Sequence, residues 1–156
     1  MFGNVLWWTV FLVAGIWLER FIPGLDFLIP GFIVSLQEER LAQSIWLGLV
    51  LLLIQDGAGS LAFGAGIPWY GGAALLYYGG RWLFEPRNVL FMVLLGWCLG
   101  VGHFFLVDTL ATLQEFEISS QNLVKESAVQ ALSFPLLWGL VSNLRLRRAE
   151  RGLSVG

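Results

Sequence analysis

Charge is scarce in this chain. Lys, Arg, Asp and Glu make up 13% of its 156 residues and apolar types 57%, where soluble domains carry roughly 25% charged residues. A soluble domain of this size leaves much of its surface in water and needs polar groups to cover it. This composition does not supply them, which excludes an ordinary soluble globule and points to lipid as the solvent. The net charge is only −2, and no Lys/Arg run is interleaved with aromatics, which excludes a nucleic-acid surface. The single cysteine, Cys98, can form no intrachain disulfide and reads as a small residue facing lipid or another helix. The single histidine, His103, has no Cys or carboxylate neighbours at ligand spacing, so no metal site is expected. Nucleophile elbows, zinc-protease pairs and phosphate-cradling loops are all missing, so neither catalysis nor a cofactor is expected. The one enzymatic arrangement left open would pair Asp56 with Glu38 or Glu39. Residues 1–18 lack the basic start and the small-residue cleavage site of a secretory signal, and read as a retained first span.

What is present is a series of apolar runs. Crossing ~30 Å of hydrocarbon at 1.5 Å per residue takes about 20 residues. Six runs approach that length: Phe2–Leu18, Asp26–Leu36, Leu41 to about Gly57, Ile67–Leu83, Asn88–Val107 and Ser127–Leu144. The second is short and holds Pro30-Gly31, the mark of a re-entrant or broken helix. Letting it cross puts Arg40, Arg81, Arg87, Arg145, Arg147, Arg148 and Arg151 on one side, against Arg20 and Lys125 on the other. Seven against two satisfies the positive-inside rule. The expected fold is therefore all-α: a polytopic membrane bundle of about six transmembrane helices, one membrane-embedded domain over 1–156, with a basic tail at 145–156 in the cytoplasm. The long polar stretch from Asp108 to Glu126 falls outside, as a loop or a short interfacial helix. Trp7, Trp8, Trp17, Trp46, Trp69, Trp82 and Trp138 fall near the ends of the runs, where indoles anchor at the interface.

Ionisable side chains inside a span are expensive and become functional candidates. Asp56 follows an unbroken apolar run and precedes Gly57, Gly59 and Gly64. It either caps the next helix or marks a close helix interface, and these four residues form the expected structural and partner-binding hub. His103, five residues before Asp108, reads as a hydrogen-bonded interfacial histidine; a polar relay from His103 to Asp108, or to Asp56, is the functional alternative. Gly71, Gly72, Gly79 and Gly80 recur at two helical turns, and Gly96 and Gly100 have GxxxG spacing, so these faces are expected to pack closely on other helices of this chain or of a partner.

The order of these features resembles a known family, the rod shape-determining protein MreD. The likeness lies in three stretches: the short second segment followed by Arg40; the third run ending in Ile54-Gln55-Asp56-Gly57-Ala58-Gly59-Ser60, then Leu61 and Gly64; and a last span with Pro135 inside and a basic end at Arg145-Leu146-Arg147-Arg148. The family usually opens its second span with Pro-Asp or Pro-Asn, whereas this chain has Pro23-Gly24-Leu25-Asp26. The resemblance implies a six-helix scaffold in the bacterial inner membrane that serves cell shape and cell-wall peptidoglycan synthesis. By the same resemblance it would bind MreC-like and other elongation-complex proteins, with membrane lipid around it. The fold is shared with the substrate-binding subunits of energy-coupling-factor vitamin transporters. That alternative would need an enclosed outer pocket lined by aromatics such as Trp69, Tyr70, Trp97 and Phe104.

Overall fold

The structure, a computed structural model, describes residues 2–22, 25–58, 64–115 and 119–153. Among them it contains six helices and no strand: α1 (Phe2–Phe21), α2 (Leu28–Gln37), α3 (Leu41–Ala58), α4 (Gly66–Gly80), α5 (Val89–Leu113) and α6 (Ser120–Leu153). Of the described residues, α5 is the one helix both long and apolar enough to cross a membrane, with a mean hydropathy of 2.2.

The architecture is organised around its shortest helix. Every residue of α2 from Leu28 to Leu36 is buried, and α1, α3, α4 and α6 all pack on it. Its ten residues rise only about 15 Å, so burial makes it a plug inside the bundle. The sequence leads one to expect a short or broken segment here with Pro30-Gly31 in its middle, and the helix is short. It starts at Leu28, which leaves Pro30 in the first turn, where a missing N–H costs nothing. The N–H groups of Leu28 and Ile29 both go to Asp26 Oδ1, at 2.8 and 2.9 Å. Gly31 admits the Phe11 ring of α1, whose atoms lie 2.3 Å from where a Cβ would stand. Gly15 on α1 admits Leu28 in the same way, at 2.4 Å. The helix ends at Glu38-Glu39, with Glu39 at φ 56, a left-handed conformation that glycine usually supplies.

The α5–α6 contact is the most extensive in the molecule, and glycine explains it. A Cβ on Gly96 would stand 2.8 Å from the Ala131 carbonyl oxygen, and one on Gly100 2.7 Å from the Ser127 carbonyl oxygen. Ala131 lies four residues before Pro135, which sits inside α6 and has no N–H to offer it. The proline frees that carbonyl and Gly96 lets the α5 backbone meet it, a contact suited to Cα–H···O interaction.

Three boundaries differ from expectation. α5 runs to Leu113, so Asp108 lies within the helix, where its carbonyl accepts from Thr112 Oγ1 at 2.8 Å. α6 starts at Ser120, so the expected long outer loop contracts to a short connection between two helices. The helix-forming run Thr109-Leu110-Ala111-Thr112-Leu113 carries α5 onward, with Ala111 buried; one charge at a helix surface does not end a helix. α4 stops at Gly80, before the expected Leu83, in a turn in which Leu83 and Phe84 donate back to the Gly80 carbonyl.

Candidate functional site

Two polar clusters close the ends of α2. At its N-terminus, Asp26 is the organiser. Besides capping Leu28 and Ile29, it accepts Trp69 Nε1–H of α4 on Oδ2 at 2.6 Å, and its own N–H donates to Gln130 Oε1 of α6 at 2.9 Å. Glu19, near the end of α1, accepts the Phe27 N–H at 3.0 Å and lies against Asp26. Both carboxyls thus meet the positive end of the α2 dipole. His103 of α5 shares a hydrogen bond between Nδ1 and Ser127 Oγ of α6 at 3.2 Å, and its ring stands edge-on to Trp69 with centroids 5.6 Å apart. These groups surround a half-open cleft of about 220 Å³, whose walls include Glu19, Asp26, Gln55, Trp69 and His103. A second, apolar groove of about 330 Å³ lies between α4 and α5 and shares Trp69 and Leu106 with the cleft.

At the other end of α2, Arg145 of α6 pairs with Glu38 through Nε and, at 3.0 Å, through Nη2 to Oε2. The same guanidinium donates to Asn4 Oδ1 of α1 and lies 5.0 and 5.2 Å from the Trp7 and Trp8 ring centroids. Gln43 of α3 donates to Glu38 Oε2 at 2.7 Å, and Asn4 donates to Gln43 Oε1 at 2.5 Å. Trp138 Nε1 of α6 donates to Gln37 Oε1 at 3.0 Å. This network ties α1, α2, α3 and α6 together. Burial alone would push the Glu38 carboxyl up; the Arg145 and Gln43 hydrogen bonds and the charges of Arg145 and Arg40 overcome it and hold the group below its ordinary value.

The residues singled out from sequence fall elsewhere. Asp56 accepts the Gly66 N–H at 2.9 Å, so it caps α4, one of its two expected roles. A Cβ on Gly57 or Gly64 would meet nothing within 4 Å, and Gly64, at φ 100, serves a turn that only glycine makes easily. Gly59 lies outside the described residues. Asp56 and the Glu38-Glu39 pair stand at opposite ends of α3, roughly 25 Å apart by helical rise, which removes the arrangement pairing them. His103 turns to Ser127 and to the cleft; among the described residues no hydrogen bond joins it to Asp108 or Asp56. Five residues along a helix rotate Asp108 well away from His103.

The glycines divide. Gly96 and Gly100 pack on α6, and Gly80 abuts the Phe91 ring. Gly71, Gly72 and Gly79 would meet nothing within 4 Å, so of the two kinds of neighbour expected for that face, no helix among the described residues fills it. The inward face of α4 is taken by Gly66, Trp69, Tyr70, Ala73 and Tyr77, so Gly71 and Gly79 face out. Trp8, Trp69 and Trp138 are buried inside the bundle, whereas Trp17 and Trp82 are exposed. The sequence alone does not single out Glu19, Asp26 or Gln130, offers Arg145 no partner, and offers Glu38 only Asp56. An Asp two residues ahead of an apolar run is a helix-cap signal that could have found Asp26.

Among the described residues, no three His, Cys, Asp or Glu side chains gather closely enough to hold a metal ion. The cleft instead offers acceptors: two carboxyls beside an indole and an imidazole. No family model matches the chain, and no curated protein or solved structure matches it.

Proposed function

We propose that this chain is an MreD-like scaffold of the bacterial inner membrane that holds partner helices of the cell-elongation machinery, an MreC-like protein among them, and makes and breaks no bond. Its outer surface is as apolar as its core, and a few polar groups are held inside. Asp26, Ser35, Gln43, Ser44, Ser127 and Gln130 are buried, while Leu53, Leu75, Leu132, Leu136 and Trp82 stand exposed, as a lipid-facing surface requires. α1 and α3, at 20 and 18 residues, have about the length to cross beside α5, and α4 and α6 cross with them. α2 enters from the outer side and passes inside the protein, where its ends are hydrogen-bonded. Arg81 and Arg145 then lie at the cytoplasmic face with the C-terminus.

The observation that carries the scaffold reading is the outward stripe Gly71–Leu75–Gly79 on α4. Both glycines have empty space where a Cβ would be, and Leu75 is 76% exposed. A backbone bared at two-turn spacing in the hydrocarbon lets another helix approach closely. Solute capture has less support: the two clefts are half-open, and of Trp69, Tyr70, Trp97 and Phe104 only Trp69 lines either of them. With Cys98 replaced by Ala, cysteines placed at Gly71 or Gly79 should crosslink to a co-expressed MreC-like protein in native membranes, and a cysteine at Leu53 should not. Equal crosslinking from all three positions, or none from either glycine position, would remove the reading.

A further inference from the structure

α1 is the least enclosed helix. Among the described residues its backbone packs closely on α2 alone, with Phe11 over Gly31 and Leu28 over Gly15. Beyond Gly15, every residue from Ile16 to Ile22 is exposed except Glu19. The outer end of α1 is therefore drawn inward by one side chain, and that side chain is a carboxyl set against another carboxyl, Asp26. Two carboxylates in contact repel; the same pair with one proton between them makes a charge-assisted hydrogen bond. Asp26 already receives three N–H donors, from Leu28, Ile29 and Trp69, whereas Glu19 receives that of Phe27. Donors favour the charged form, so Asp26 keeps the charge and Glu19 the proton. The titratable groups facing the pair are Tyr70 of α4, His103 of α5 and, behind the histidine, Glu126 of α6, while α3 presents Gln55 to the same cleft. No Lys or Arg is among them, and Arg20, the next residue of α1, is exposed.

We propose that Glu19 and Asp26 hold one proton between them, that this proton clasps the outer end of α1 to the start of α2, and that its loss lets α1 lift and uncovers the cleft. In the closed state the Glu19 hydroxyl donates to the Asp26 carboxylate; on opening, the proton passes to water and two carboxylates remain, each hydrated. Glu19 stands one residue past the apolar run Phe2–Leu18, at the outer interface in the proposed orientation, so the clasp answers to the outer solution. Burial, and then the Asp26 charge and hydrogen bond, push the Glu19 carboxyl from 4.5 up to about 8. The direction of the response follows. Below about pH 4.5 closed and open states both hold the proton, and the clasp is at full strength. Between about 4.5 and 8 the open state has lost it and the closed state has not, so opening grows by up to about tenfold per pH unit. Above about 8 both states are ionised and opening levels off. The inference takes only its outward direction from the membrane placement and is independent of the scaffold role.

The test uses the full chain in neutral detergent with Cys98→Ala. Leu25 lies beside the pair in the cleft wall and is 7% exposed. The rate at which Leu25→Cys reacts with a water-soluble thiol reagent is divided by that of Phe21→Cys, an exposed position on α1, which cancels the ionisation of the thiol itself. The ratio should rise at least tenfold from about pH 5 to 8 and stay level above. Glu19→Gln keeps the acceptor for Phe27 and gives Asp26 a permanent N–H donor in place of the proton, so it should hold the ratio low at every pH. His103→Gln should leave the rise in place. A flat or falling ratio in the wild type overturns the proposal, as does an equal rise in Glu19→Gln or a rise abolished by His103→Gln. Infrared spectroscopy reads the proton directly, without a cysteine: the carbonyl band of a protonated carboxyl should be present at neutral pH, fade above about pH 8, and be missing from Glu19→Gln. Its absence from the wild type at neutral pH overturns the proposal even if Glu19→Gln fails to fold.

Discussion

The Arg145–Glu38 pair is the contact whose loss should be felt most. Its side chains are 15% and 18% exposed, and it joins the last helix to the turn after α2. Removing one member of a buried pair costs about 3–5 kcal/mol, because the other is left charged and unpaired; residual solvent access puts Arg145→Ala nearer 3 kcal/mol, including stacking lost on Trp7 and Trp8. Arg145→Lys retains the charge but not the fork or the planar stacking, and should cost about half as much. Glu38→Gln keeps one acceptor and should cost about 1–2 kcal/mol. Reversible unfolding in mixed micelles, followed by far-ultraviolet circular dichroism, measures all three. The pH dependence is a separate check. A carboxyl held below its ordinary value of 4.5 in the folded state contributes stability that is complete above the unfolded pKa and lost as pH falls through the folded one. The gap between wild type and Glu38→Gln should therefore be constant near neutrality, begin to close around pH 4.5, and vanish at more acid pH. A gap unchanged by acid, or an Arg145→Ala cost no larger than the ~0.5 kcal/mol of a surface ion pair, would refute the reasoning.

Other substitutions test the remaining contacts. Gly100→Ala drives a methyl to 2.7 Å from the Ser127 carbonyl and should destabilise by about 1–3 kcal/mol, whereas Gly71→Ala, with nothing nearby, should leave unfolding unchanged or slightly stabilised. Asp26→Ala removes the acceptor for two α2 amides and the Trp69 indole, with an expected loss of about 2 kcal/mol or more; Asp26→Asn, which keeps one oxygen, should recover part of it. Glu39→Gly relieves a left-handed non-glycine residue and should raise the unfolding free energy by about 0.5–1 kcal/mol, net of its exposed pair with Arg81. A fall in stability would mean that the 2.6 Å pair matters more than the backbone.

The membrane-type composition and helical class were legible because both follow from sums over many residues. The shortness of residues 26–36 was visible too, along with its Pro-Gly, and so was the GxxxG of Gly96 and Gly100, whose close approach to α6 the structure contains. Less accessible were contacts between residues distant in sequence. Asp26 meets Gln130 across 104 positions and Arg145 meets Glu38 across 107; no local pattern encodes such pairs. Asp56 drew notice because it stands beside glycines, yet its bond is a local cap. Asp26 drew none because it looked like the polar edge of an apolar run.

Composition and periodicity, by themselves, settled that this is a chain of apolar helices with few charges, because hydrophobic burial and helical repeat are properties of neighbouring residues. Only the tertiary structure decided that the shortest helix lies at the centre, that α4 turns aromatics inward and bares Gly71 and Gly79, and that Glu19 of α1 meets Asp26 at the N-terminus of α2. Those outcomes depend on which helix faces compete for the same interior space, a competition resolved only when all six are packed together.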